Sequence, residues 1–128
     1  MRLHHVGVAV DDLEAAIDMY AKNFGAEVMH RASNEELRAA FLSAGEAEVE
    51  LLEPIGEDTP VGKFLARRGP GLHHIAVAVP DIDKAMADAR AQGLEMIDQE
   101  PRIGLHGTRI AFIHPRSVGG VLTELVEA

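Results

Sequence analysis

The sequence predicts an α+β fold built from two tandem βαβββ modules. Residues 3–10 and 72–79 are near copies of one segment, in which a His-His pair precedes small and β-branched residues. Each copy is followed by a helix-like stretch, and each half later reaches a Glu-Leu-aliphatic-Glu run, at 50–53 and 124–127. We therefore expect a single 128-residue domain with modules at about 1–53 and 72–128 and a connection at 54–71.

The first module starts with a strand at 3–10, because β-branched side chains occupy alternate positions there. Asp12 can cap the following helix, whose apolar residues recur at three- and four-residue steps until Gly25 ends it. Three strands are then predicted, at about 26–31, 37–44 and 47–53.

The second module repeats this order. A strand at 72–79 precedes a helix over 81–92 that Gly93 ends. Three strands are predicted after it, at about 95–98, 108–114 and 120–127. Pro and Gly punctuate the connection between the modules, and its middle, residues 61–68, is compatible with a short helix.

Strand parity separates the two histidines of each copy. His5 shares a face with Gly7 and Ala9, and His74 shares the equivalent face with two alanines. Small neighbours leave room for a cavity on this face, whereas the β-branched face is expected to pack beneath a helix.

One His and one Glu from each half predict a four-ligand metal site made of His5, Glu50, His74 and Glu124. A buried glutamate on a strand is costly unless it is paired or bound to a metal. The chain has no cysteine, so nitrogen and oxygen must hold any metal, and imidazole with carboxylate suits Co, Ni, Zn, Mn or Fe ions.

Each candidate ligand also has a plainer interpretation. Glu50 and Glu124 could face solvent on edge strands, and His5 could be a hydrogen-bonded core histidine. The adjacent His4 and His73 fall on the opposite face and are better explained as structural residues or as donors to the ligands.

Other chemical signals in the chain are weaker. His106 precedes Gly and His114 precedes Pro, so turn formation explains both contexts as well as catalysis or substrate contact would. His30 has no supporting context. The serines lack a nucleophile elbow or a spaced triad, and no phosphate-loop pattern is present.

Composition narrows the class of protein. A formal net charge of −9 argues against nucleic acid or an acidic membrane surface as the main partner. The N-terminus lacks the charged and then apolar segments of a secretory signal, so export is not expected. No apolar run approaches the roughly 18 residues that a membrane-spanning helix needs. With no cysteine to form disulfides, we expect a cytoplasmic protein.

The chain resembles the vicinal oxygen chelate superfamily, also called the glyoxalase/bleomycin resistance/dioxygenase superfamily, over essentially its whole length. Within it, the resemblance is to the methylmalonyl-CoA epimerases. The stretches that carry it are 3–10, 49–54, 63–65, 71–76 and the long run from Glu100 to Leu125, which is the most specific.

The resemblance implies a curved mixed sheet that encloses a metal. It assigns His5, His74 and Glu124 as ligands and places Glu50 where the fourth ligand lies. It also implies epimerisation of (2R)/(2S)-methylmalonyl-CoA by C2 proton abstraction through a metal-stabilised enediolate. Glu124 and Glu50 then act as the acid/bases, because Ala39 stands where some epimerases carry a glutamate that acts as an acid/base.

The same resemblance implies an acyl-CoA thioester as substrate, Co2+ as the first choice of metal ahead of Mn2+, Ni2+ or Zn2+, and a homodimer. Arg102 and Arg116 could meet the CoA phosphates, although an ordinary solvated surface also explains them. The alternatives are glyoxalase I chemistry on a glutathione hemithioacetal and a metal-free small-molecule-binding protein. An iron dioxygenase fits less well, because Glu50 supplies one carboxylate too many.

Overall fold

The computed structural model describes all 128 residues of the chain. In chain order its elements are β1 (Arg2–Ala9), α1 (Leu13–Phe24), β2 (Val28–Ser33), β3 (Leu37–Ala44), β4 (Ala47–Pro54), α2 (Pro60–Arg68), β5 (Gly71–Val79), α3 (Ile82–Ala91), β6 (Arg102–Ile103), β7 (Arg109–Ile113), a short 3-10 helix (Pro115–Ser117) and β8 (Thr123–Glu127). No helix combines the length and the apolar character that crossing a bilayer requires.

The chain divides into two compact units. The first unit is His5–His73, and the second combines Met1–His4 with His74–Ala128. Strand β4 ends at Pro54, and β5 begins at Gly71. The module bounds of about 1–53 and 72–128 stay a prediction. The single domain expected from chain length stays a prediction.

In the first unit, β4 has a strand on each side. It pairs in parallel with β1 and antiparallel with β3, whose other edge carries β2 in antiparallel pairing. Leu51 of β4 packs with Leu42 and Ala40 of β3 and with Leu13 of α1, and Val8 of β1 joins this cluster. The β-branched face of β1 therefore lies beneath a helix, as predicted.

The second unit repeats the plan with β8 in the place of β4. β8 pairs in parallel with β5 and antiparallel with β7, and β6 pairs antiparallel with β7. Ile82 and Met86 of α3 pack on Leu125 of β8 and on Ala111 and Ile113 of β7. Each unit thus keeps a helix on one face of its strands.

The predicted helices are confirmed. The Asp12 carboxylate accepts a hydrogen bond from the Ala15 amide, and that of Asp81 accepts one from the Lys84 amide, both at 3.1 Å. Such caps satisfy amides that have no partner within the helix. Gly25 ends α1 with a φ of 66°, in the left-handed region that favours glycine.

The strand predicted at 95–98 is wrong. Only a single bridge forms there, between Met96 and Ile113, and the first strand after α3 is β6. The cause is Asp98, whose carboxylate accepts the Phe112 amide at 2.7 Å. A side chain thus takes a β7 amide that a continued strand would have used.

Glu53 and Glu127, three residues after Glu50 and Glu124, each attach a helix to its sheet. Glu53 of β4 accepts a hydrogen bond from the Leu13 amide at 2.8 Å, and Glu127 of β8 accepts one from the Ile82 amide at 3.0 Å. These amides belong to the first residues of α1 and α3, where negative charge is stabilised by the helix dipole. The second Glu of each Glu-Leu-aliphatic-Glu run is therefore structural.

An arginine from the neighbouring strand accompanies each of these carboxylates. Arg38 pairs with Glu53, and Arg109 pairs with Glu127 at 3.0 Å while also reaching Asp83 at 2.7 Å. The hydrogen bond from Arg109, with a smaller contribution from the Ile82 amide, holds the pKa of Glu127 below its usual value. The duplication thus extends to helix anchoring.

Candidate active site

His5 and Glu50 form a buried pair in the first unit. Both side chains are nearly inaccessible, with 1% and 5% relative exposure. The Nε2 atom of His5 lies 3.5 Å from Oε1 of Glu50. Gly7 is the direct neighbour of Glu50 on β1, and it adds no side chain to the strand face that His5 and Glu50 share.

His74 and Glu124 form the equivalent pair in the second unit. Their relative exposures are 3% and 6%, and Nε2 of His74 lies 3.2 Å from Oε1 of Glu124. Ala76, the counterpart of Gly7, lies opposite Glu124 on β5. Small residues on one face of β1 and β5 therefore position a His-Glu pair in each unit, as strand parity predicts.

The separations within the pairs suit metal ligands. Charge-assisted hydrogen bonds between nitrogen and carboxylate oxygen measure about 2.7–2.9 Å, which is shorter than either pair. Two ligands of one tetrahedral ion lie about 3.4 Å apart when the bonds to the metal are about 2.1 Å long. Each pair thus offers one nitrogen and one oxygen at the spacing that a shared ion requires.

A phenylalanine stands beside each glutamate. Phe41 of β3 lies directly opposite Glu50, and Phe112 of β7 lies directly opposite Glu124. The ring of Phe112 also meets His74 in a T-shaped contact at 5.6 Å between centroids. These aromatic walls follow from hairpin register, which was not assigned from the sequence, so sequence reasoning missed both residues.

His30 gains a context that the sequence did not provide. Its ring stacks on Phe41 at 4.2 Å between centroids with an interplanar angle of 17°. β2 and β3 pair these two residues directly, and Phe41 in turn lies opposite Glu50. His30 therefore lies on the strand face that carries the buried pair of the first unit.

Ala39 occupies the same face of β3 as Phe41, two residues before it. It is 1% exposed and lies opposite Leu52 of β4. At this position the face carries a methyl group, which cannot transfer a proton. Glu50 is therefore the acidic side chain that β3 and β4 bury on this face.

With this geometry established, comparison with known proteins identifies the family. The family model described as Glyoxalase/Bleomycin resistance protein/Dioxygenase superfamily matches residues 4–112. The chain belongs to this superfamily.

Similar members of the superfamily are epimerases. The chain is 38% identical to the mitochondrial methylmalonyl-CoA epimerase of Homo sapiens, over 99% of this chain and 74% of the relative. It is also 38% identical to the ethylmalonyl-CoA/methylmalonyl-CoA epimerase of Cereibacter sphaeroides, over 97% of this chain and 96% of the relative.

A solved structure supports the same likeness. It contains a variant of Streptomyces coelicolor methylmalonyl-CoA epimerase in complex with 2-nitronate-propionyl-CoA. The identity is 42%, the TM-score is 0.94, and the match covers 100% of this chain and 97% of that one. The predicted fold class, the resemblance to methylmalonyl-CoA epimerases and the expectation of an enzyme of that class are confirmed.

Two of the predicted substrate-binding residues, Arg102 and His106, lie on strand β6 and in the loop after it. Arg102 donates from Nε to Asp98 at 3.0 Å, and its guanidinium carbon lies 5.6 Å from the centroid of Phe112. His106 meets His4 in a T-shaped contact at 4.9 Å between centroids. Arg102 thus lies next to the aromatic wall, and its role in binding stays a prediction.

The other two predicted substrate-binding residues are engaged in local structure. His114 caps the 3-10 helix, because its Nδ1 accepts a hydrogen bond from the Arg116 amide at 3.1 Å. The Arg116 side chain forms a forked ion pair with Glu95, at 2.7 and 2.9 Å, which raises the pKa of Arg116 and lowers that of Glu95. Substrate contact by His114 or Arg116 stays a prediction.

Proposed function

We propose that this chain interconverts the (2R) and (2S) epimers of methylmalonyl-CoA. The observation that carries the proposal is the buried His-Glu pair present once in each unit, within a chain similar along its whole length to methylmalonyl-CoA epimerases. Buried carboxylates beside imidazoles are suited to moving a proton away from bulk water.

We further propose that His5, Glu50, His74 and Glu124 together hold one divalent ion, with Co2+ as the first choice and Mn2+, Ni2+ or Zn2+ as alternatives. The nitrogen-oxygen donor set and the spacing within each pair fit such an ion. When bound, the ion supplies a Lewis acid that stabilises the enediolate charge left after the C2 proton departs.

Glu124 and Glu50 are the proposed proton carriers. Inversion at C2 requires one group to remove the proton from one face and another to return a proton to the opposite face. Each glutamate is buried beside a histidine and a phenylalanine, which restricts its orientation and excludes water. Because Ala39 carries no acid, Glu50 takes the second role in this proposal.

The first test is proton NMR of methylmalonyl-CoA in deuterated water with metal-stripped protein, before and after addition of Co2+. We expect the C2 proton signal to disappear only with metal, and both epimers to become usable by a stereospecific mutase. Exchange at the uncatalysed rate with each of several divalent metals would contradict the proposal.

Variants test the proton carriers. Glu124→Gln and Glu50→Gln keep the size of the side chain, so we expect a folded protein whose turnover falls about 10²- to 10⁴-fold, the usual contribution of general acid–base catalysis. Glu46→Gln, in the exposed β3–β4 turn, is the matched control. Unchanged turnover in Glu124→Gln would remove Glu124 from the mechanism.

Glyoxalase I chemistry is the second candidate, because Glu50 completes a two-His, two-Glu set of the kind that performs proton transfer in that enzyme. Formation of lactoylglutathione from the glutathione hemithioacetal, with no exchange on methylmalonyl-CoA, would favour it. The homodimer expected from the family resemblance stays a prediction, and sedimentation of the purified chain measures it.

A further inference from the structure

Asp98 links Arg102 to the strand that walls the second His-Glu pair. Its Oδ1 accepts from Nε of Arg102 at 3.0 Å, and its Oδ2 accepts from the Phe112 amide at 2.7 Å. The Asp98 side chain is only 16% exposed, whereas that of Arg102 is 55% exposed. One carboxylate therefore ties the exposed arginine to β7.

This link places the guanidinium over the aromatic wall. The guanidinium carbon of Arg102 and the ring of His74 each lie 5.6 Å from the centroid of Phe112, and Phe112 lies directly opposite Glu124. The Phe112 ring thus contacts both a guanidinium and the imidazole of the buried pair. Cation–π attraction adds to the positioning of Arg102.

The guanidinium has capacity for a second carboxylate. Asp98 engages its Nε, and Arg carries five N–H donors in a planar fork. The terminal nitrogens, Nη1 and Nη2, match a carboxylate in the two-pronged geometry that a lysine cannot reproduce.

The two units differ in the residue that contacts the phenylalanine beside each buried glutamate. In the first unit, His30 stacks on Phe41. In the second unit, the guanidinium of Arg102, which is charged at every physiological pH, lies over the ring of Phe112. A permanent cation therefore accompanies the Glu124 pair, and an imidazole accompanies the Glu50 pair.

We propose that Arg102 binds the free carboxylate of the acyl group and that Asp98 is the positioning residue that holds Arg102 for it. This inference rests on the proposed function and adds a determinant of substrate specificity. The carboxylate is favoured over a CoA phosphate because the pantetheine chain separates the phosphates from the acyl group, whereas Arg102 contacts the same phenyl ring as His74.

Binding measurements by calorimetry on the metal-loaded protein test the proposal without relying on turnover. Methylmalonyl-CoA, propionyl-CoA and methylmalonyl-pantetheine are compared, because the second lacks the carboxylate and the third lacks the nucleotide phosphates. We expect Arg102→Met to weaken both methylmalonyl thioesters at least about tenfold and to leave propionyl-CoA unchanged. Arg31→Met, which removes an exposed arginine paired with Glu14, is the matched control.

The outcomes separate the two proposals. An equal loss for propionyl-CoA and methylmalonyl-CoA, with none for methylmalonyl-pantetheine, would identify a phosphate contact and overturn the carboxylate assignment. Full affinity in Arg102→Met, with metal-dependent C2 exchange intact in the unsubstituted protein, would overturn this inference alone. Failure of the unsubstituted protein to bind methylmalonyl-CoA would overturn the proposed function as well.

Asp98→Asn tests the positioning role. We expect KM for methylmalonyl-CoA to rise while kcat changes little, with affinity for propionyl-CoA retained. A loss of affinity for both ligands, accompanied by a lower Tm, would show that Asp98 acts only on the fold and would overturn its positioning role.

Discussion

Replacing Glu53 with alanine tests how each sheet is fastened to its helix. The Glu53 carboxylate accepts the Leu13 amide at 2.8 Å, and its side chain is only 12% exposed. The substitution leaves that amide at the start of α1 without its carboxylate acceptor. The expected effect is on stability, since Glu53 faces the helix and not the buried pair.

The magnitude follows from that single contact. A hydrogen bond to a charged group contributes about 1.5–3 kcal/mol, and loss of a helix cap costs about 1 kcal/mol, so we expect the free energy of unfolding to fall by about 2 kcal/mol. For a chain of this length the Tm falls about 4 °C per kcal/mol, giving a shift of about 8 °C. The Arg38 partner is 62% exposed and adds little.

Urea unfolding followed by circular dichroism measures the change. Arg38→Met is the comparison variant, because it removes the ion pair and keeps the helix cap, and we expect it to cost less than about 0.5 kcal/mol. Equal losses in Glu53→Ala and Arg38→Met would refute the capping argument. A loss below about 0.5 kcal/mol in Glu53→Ala would refute it too.

Three further predictions concern stability. The pKa of Glu127 is lowered in the folded state, so ionised Glu127 stabilises the fold fully above its unfolded-state pKa. This stabilisation is lost as pH falls through the folded-state pKa. Arg109→Met removes the main cause of the lowered pKa and should therefore flatten the fall in Tm between about pH 5 and 3. An unchanged acid slope would contradict this. Leu51→Ala, at a fully buried core position, should cost about 2–5 kcal/mol in urea unfolding, and a smaller loss would mean that the site collapses around the cavity. Stripping divalent metal should lower the Tm, and adding Co2+ at about 1,000 times its Kd should raise the free energy of unfolding by about 4 kcal/mol. A Tm that does not change with metal would count against the four-ligand site.

The internal repeat made most of the fold predictable. Two copies of a strand followed by a helical period predicted both helices, with Asp12 as the cap of the first, and Asp81 caps the second in the same way. The strand predicted at 95–98 failed because Asp98 makes a tertiary hydrogen bond to the Phe112 amide. Local pattern cannot reveal that a side chain will replace a backbone acceptor.

The candidate site was predictable to a similar extent. His5 and His74 followed from strand parity, and the repeat selected Glu50 and Glu124 from many surface glutamates. Phe41 and Phe112 were missed, because each depends on which residues two antiparallel strands place opposite one another. That register becomes visible only once the strands are paired.

The alternation of faces along β4 has a consequence for mutational tolerance. Glu50 and Leu52 point to one side, while Val49, Leu51 and Glu53 point to the other. A saturation scan should therefore split into two interleaved classes, one in which substitutions abolish activity in a folded protein and one in which they reduce the yield of folded protein. Inserting or deleting one residue would exchange the two classes, so this strand should tolerate many more substitutions than changes of length.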